Sequence, residues 1–129
     1  MNHLYYKDRY SGGTLRVCFR FGRYMATDSL YVGMCYFSEE DKQWEPYATL
    51  TVCLPNETPA DLWNCAFLNT NGEVDSTIAM WLISNGFARK TGDVGVSGFC
   101  TFPEFRFDLQ AMRPYAMFDA EWLKWCQKS

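Results

Sequence analysis

The run MWLISNGFARKTGDVGVSGFCTFPEFRF, residues 80–107, decides the fold, because two periodicities meet inside it. Val74, Ile78, Trp81 and Leu82 stand at i, i+4, i+7 and i+8, the spacing of one helical face, with Asp75 or Ser76 placed to cap the start. Asn85-Gly86 ends that helix, since glycine enters the left-handed conformation of a helix terminus without steric cost. Glycine-punctuated, aromatic-rich sequence follows. Residues 87–90 suit a short strand, residues 91–98 (TGDVGVSG) a loop, and residues 99–107 an aromatic strand whose Pro103 calls for an edge or a bulge.

Strand sequence also dominates upstream. In residues 14–21, TLRVCFRF, Leu15, Val17, Phe19 and Phe21 fall on one face and Thr14, Arg16, Cys18 and Arg20 on the other, the alternation of a half-buried strand. Residues 29–37, SLYVGMCYF, are apolar on both faces and suit an interior strand, with Gly33 marking a bulge or a close backbone approach. SEEDKQWEP, residues 38–46, is a charged hairpin loop, and YATLTVCL, residues 47–54, alternates again until Pro55 stops it. LWNCAFL, residues 62–68, is a short apolar run that we read as a strand, with a helical turn as the alternative. Residues 1–13 close on Gly12-Gly13 as a turn or flexible lead-in, and Asp119 can cap a terminal helix in which Phe118, Trp122, Trp125 and Cys126 repeat at helical spacing. The expected architecture is one α+β domain over residues 1–129: an antiparallel or mixed sheet of about five strands, one main helix packed on it, and a C-terminal helix. Strands do not alternate regularly with helices, which excludes a doubly wound nucleotide fold.

Composition bounds the chemistry. The 129 residues are 48% hydrophobic and 21% charged, too apolar for a disordered chain, and the 18% that are aromatic need a core or an interface to occupy. The net charge of −3 is uneven: Lys7, Arg9, Arg16, Arg20 and Arg23 against Asp8 give residues 1–24 a charge of +4, so the remainder carries −7. Six cysteines lie no closer than twelve residues apart and His3 is the only histidine, so the paired ligands that announce a zinc site are missing. We expect no metal and no cofactor, and reduced cysteines of which at least four are buried. No apolar run reaches signal-peptide or membrane-span length, which points to a cytoplasmic protein without a membrane partner.

Catalytic constellations do not emerge, and the expectation is a protein that is not an enzyme. His3 lies near the N-terminus, where holding an imidazole within hydrogen-bond reach of a thiol is difficult. Gly92, Gly95 and Gly98 lead into more strand, not into the helix and lysine of a phosphate loop, so they serve turn geometry. Two constellations point to binding instead. Arg16, Arg20 and Arg23 interleave with tyrosines, Tyr24 among them, as in surfaces that track a phosphate backbone while bases stack on rings; the alternative is arginines that decorate the solvent face of a strand. Trp44, among the charges of the 38–46 loop, has the character of an exposed protein anchor, and Trp122 and Trp125 are further candidates for the same role.

The order of several segments carries a resemblance. FGRY (21–24) with LYVG (30–33), LTVCLP (50–55), AFLNTNG (66–72), SNGFARKTG (84–92) and SGFCTFPEFRF (97–107) resemble a domain-of-unknown-function family of small proteins from gut Firmicutes, often encoded on mobile elements. The resemblance spans about residues 16–107 and brings no catalytic residue with it. It implies a small cytosolic protein that binds a partner, in counter-defence or regulation for a mobile element. The expected function is therefore non-enzymatic protein binding to a partner of unknown identity, with single-strand nucleic-acid binding as the alternative.

Overall fold

The computed structural model describes residues 1–117. The expected terminal helix, with Trp122 and Trp125, lies outside the described residues. The alternation of TLRVCFRF does produce a strand, β2 (Thr14–Arg23), and it organises the first sheet. β1 (Leu4–Lys7) and β3 (Leu30–Ser38) flank β2 antiparallel, and β4 (Gln43–Thr49) follows β3 in the order β1-β2-β3-β4. Pairing of Tyr6 with Leu15, Phe19 with Met34 and Phe21 with Val32 aligns the apolar positions of neighbouring strands, and these residues bury one face. The opposite face carries Tyr5, Lys7, Arg16, Cys18, Arg20, Gly33, Cys35, Phe37 and Trp44.

The chain passes from one sheet to the other at Leu50, which is fully buried. Its N–H donates to the Val32 carbonyl in β3 and its carbonyl accepts from Asn69, just past β6 (Cys65–Leu68). β5 (Thr51–Val52) then opens a second antiparallel sheet, ordered β5-β6-β8-β7, with β7 at Ala88–Ser97 and β8 at Cys100–Phe107. The helix α1 (Ser76–Ser84) precedes β7. Asp75 caps it, its carboxylate accepting from the Ile78 N–H at 2.9 Å, and Gly86 closes it at φ +73°. That positive φ lets the Phe87 N–H return to the Leu82 carbonyl at 2.9 Å.

One core joins these parts. Phe19, Val32, Met34, Leu50, Leu68, Ile78, Leu82, Phe105 and Phe107 belong to a single buried cluster drawn from both sheets and α1. The Trp81 ring meets Tyr6, Phe19 and Phe87 at centroid distances of 5.2–6.1 Å, so the helix is keyed to the first sheet by aromatic edges. A helix α2 (Leu109–Met112), capped by Asp108, and a 3-10 turn (Arg113–Tyr115) follow β8 and bring the chain back, so that Ala116 bridges Phe19 in parallel.

Several expectations need correction. There is not one sheet of about five strands but two of four, because the 47–54 run breaks at Leu50. The lead-in is no flexible segment in its middle: Leu4 and Tyr6 turn into the core and make β1. The 38–46 loop shrinks to a tight turn at residues 39–42, where Lys42 holds φ +56°, and Trp44 and Pro46 belong to β4. Residues 91–98 are mostly strand, paired with β8 across a register shift between Lys90 and Val94 that accommodates Pro103. Of the five described cysteines, all free, Cys18, Cys35 and Cys65 are buried, Cys53 is half-buried and Cys100 is exposed.

Candidate functional site

The outward face of the first sheet gathers the residues with the most distinctive chemistry. β2 alternation sends Arg16 and Arg20 outward together, as their even spacing requires. On β3 and β4 the outward positions at the same end are Phe37 and Trp44, directly paired in register with ring centroids 5.4 Å apart. The Arg16 guanidinium lies over both rings, 5.2 Å from the Trp44 centroid and 5.7 Å from that of Phe37. Contacts of this kind contribute about 0.5–2 kcal/mol and hold an otherwise mobile cation in one pose. Arg16 Nε is buried without a hydrogen-bond partner among the described residues, a donor withdrawn from water and unmet.

Further cations surround it. Arg20 is exposed, Lys7 is exposed beside Thr14, and Tyr5, opposite Arg16, is half out of the surface. No ion pair engages Lys7, Arg16 or Arg20 among the described residues, and no carboxylate occupies an outward strand position of this sheet. Tyr31 lies across Gly33, where a Cβ would reach within 2.5 Å of the tyrosine hydroxyl, so glycine there makes room for the ring. At the centre of the face Cys18 and Cys35 stand opposite each other in the β2–β3 register. The Cys35 thiol beside it and then burial push Cys18 up from the ordinary range, whereas the Cys18 thiol and Arg20 draw Cys35 down against the effect of burial.

One of the residues grouped by sequence leaves this face, and Tyr24 packs at its end, its ring 5.6 Å from that of Tyr31. Arg23 is an odd number of residues from Arg20 and emerges elsewhere, its guanidinium 4.3 Å from the Trp63 ring centroid and its Nη1 donating to the carbonyls of Leu62, at 3.2 Å, and of Asp28. Burial lowers its pKa, with Asp28 and Asp61 opposing. Tyr24 donates its hydroxyl to the Thr51 carbonyl at 3.0 Å, a link between the sheets. Trp44 is half-buried on a strand, not on a loop tip. Phe37, Lys7 and the Cys18–Cys35 pair escaped sequence reasoning. Strand parity could have separated Arg23 from Arg16 and Arg20, whereas the cysteine pairing needs the register.

A second feature is a cleft of about 560 Å³ at one end of the second sheet, lined by Trp63, Asn64, Arg89, Arg106 and Phe107 among others. Arg89 and Arg106 are direct cross-strand partners, but Arg106 is engaged by Asn64 at 3.0 Å and Asp61 at 3.8 Å, and Asp108 also lines the cleft. Its charge is therefore largely balanced. His3 is exposed beside the Tyr5 hydroxyl, and no helix among the described residues is long and apolar enough to cross a membrane.

No curated protein and no solved structure matches this chain. One family model does, over residues 18–125, a span running from β2 through both sheets and past the last described strand. On that match, the chain belongs to the family described as a domain of unknown function, DUF4313.

Proposed function

We propose that this domain is a non-enzymatic binding protein whose outward first-sheet face receives an acidic segment of a protein partner. The observation that carries the reading is Arg16, its guanidinium fixed over Trp44 and Phe37 and its Nε withdrawn from water without a hydrogen-bond partner among the described residues. A cation held this way has already given up its freedom, so a carboxylate that meets it gains a charge-assisted hydrogen bond at little further entropic cost. Lys7 and Arg20 extend the positive surface, which favours acidic partners even on a chain of net charge −3. The resemblance to small proteins of mobile elements in gut Firmicutes supports a cytoplasmic role in counter-defence or regulation, where a dedicated protein contact is the whole activity.

The second reading, single-strand nucleic-acid binding, is favoured by the same arginine–aromatic pairing. It is weakened by the departure of Arg23 from the face, which leaves two arginines and one lysine to track phosphates. Titration with a poly-glutamate peptide and with a thymidine oligonucleotide, at low and at physiological salt, separates the two. The protein reading expects peptide binding that Arg16→Glu with Arg20→Glu abolishes and that Trp44→Ala weakens by about 2 kcal/mol. Tighter, steeply salt-dependent oligonucleotide binding lost in the same double variant selects the second reading. No binding of either probe by the wild type overturns both for this face and moves the search to Trp122 and Trp125.

A further inference from the structure

We propose that Cys18 and Cys35 form a redox-active dithiol, a modification site that a hydroperoxide converts into a cross-strand disulfide. The inference stands independently of the binding reading, since it rests on the register of the two cysteines. Directly opposed residues of antiparallel strands have Cα atoms about 4.5 or 5.5 Å apart, depending on the pair type. Both values fall in the window of about 4.4–6.8 Å that a disulfide requires. Cys18 and Cys35 are such a pair, on the same face, and they are the only described cysteines that have a thiol opposite. Cys53 faces the Thr27 hydroxyl, Cys65 donates towards the Asn64 side chain, and Cys100 lies exposed at the β7–β8 turn.

Other features suit reaction better than packing. Both are buried in the outward rows of their strands, opposite the faces that carry Phe19 and Met34. The β3–β4 register slips between Met34 and Cys35, so β3 can adjust at Cys35 without breaking a regular ladder on that side. Arg20, in the outward row of β2, favours the thiolate at Cys35. Cys35 is the thiol drawn towards ionisation, by the Cys18 thiol beside it and by Arg20. Cys35 is also the more accessible, at 6% against 0% for Cys18, which suits a small oxidant better than a bulky disulfide.

The reaction begins at Cys35. Its thiolate attacks one peroxide oxygen; the S–O bond forms, the O–O bond breaks, and the departing oxygen takes a proton and leaves as water or an alcohol. Cys18 then attacks the sulfenyl sulfur of Cys35 and gives up its proton. The S–S bond forms, the S–O bond breaks, and the hydroxyl departs as water. Two thiols have lost two electrons and one peroxide has gained them. A dithiol reductant reverses the product by exchange.

The test uses the full chain with Cys100→Ser, which removes the exposed thiol among the described residues, one that could cross-link molecules. Native protein is exposed to graded hydrogen peroxide, alkylated and mapped by mass spectrometry, with circular dichroism to follow the fold. The expected result is loss of alkylation at Cys18 and Cys35 together, one linked peptide lighter by two hydrogens, and recovery of both thiols with dithiothreitol while the fold persists. Cys18→Ser should leave a sulfenic acid at Cys35 that dimedone traps; if that variant does not fold, Cys18→Ala serves the same purpose. Persistence of both thiols at peroxide levels that oxidise Cys100 in the wild type overturns the proposal. So does pairing of either cysteine with another thiol, or a Cys18–Cys35 bond that forms only in unfolding concentrations of urea.

Discussion

The two sheets treat their outward faces in opposite ways. On the second, the segment after β5 folds back over the strands: Leu54 packs with Phe67 and Phe102, Ala60 donates its N–H to the buried Glu104 carboxylate at 2.9 Å, and Asp61 approaches Arg106. Thr91 supplies a second donor to Glu104, at 2.6 Å. Gly95 completes the closure, because a Cβ there would collide with Leu54 and Phe67. On the first sheet the outward Lys7, Arg16 and Arg20 meet no carboxylate among the described residues. The outward face of the second sheet is closed by the chain itself, and the aromatic-flanked cations of the first are what support the binding proposed for it.

The contrast can be broken by substitution. Phe19→Ala, on the inward side of β2, should cost about 3–5 kcal/mol in urea denaturation, the usual penalty for truncating a fully buried phenylalanine. A small loss there would mean that the two sheets do not share one core. Glu104→Ala should cost about 2–3 kcal/mol by the same measurement, because the Ala60 N–H and the Thr91 hydroxyl lose a charged acceptor under the covering segment. If stability hardly changes, that segment is not clamped and the difference between the faces collapses.

A third test uses acid. The Tyr47 hydroxyl, donating at 2.6 Å, and Ser11 hold the Asp8 carboxyl down at about 2. An unfolded aspartate titrates near 3.9, so this contribution is complete above about pH 4 and is lost as pH falls from there towards 2. Asp8→Asn should therefore flatten the fall of the thermal midpoint over that window, and an unchanged slope would remove Asp8 as the anchor of the β1–β2 turn. The smallest effect is expected from Arg16→Glu with Arg20→Glu. Stability should move by about 1 kcal/mol or less, since only the stacking of Arg16 is at stake. A loss comparable to that of Phe19→Ala would show that the outward face is a second core.

What the sequence disclosed followed from periodicity. β2 was legible because four apolar residues alternate with Arg16 and Arg20, and α1 because Ile78 and Leu82 sit between a capping Asp75 and a terminating Gly86. β7 was not, since Gly92, Asp93 and Gly95 have little intrinsic strand preference and their conformation comes from pairing with β8. β1 is four residues long, too short for alternation to stand out among tyrosines. The division into two sheets was hidden because residues 47–54 alternate smoothly through Leu50, and only the partners on either side change. Among site residues, position along a strand revealed that Arg16 and Arg20 share a face, while Trp44 beside Phe37 and Cys18 beside Cys35 depended on which strands pair and in what register.

Leu50 has a consequence for how the molecule comes apart. One residue gives its N–H to the first sheet and its carbonyl to the second, so neither sheet can open there without disturbing the other. Amide exchange at Leu50 and at Asn69 should then proceed at the rate of global unfolding rather than of local fraying. Cleavage or insertion at this joint would cost the whole fold, whereas the turn at residues 39–42, closed on a single sheet, is where a new chain end could be introduced.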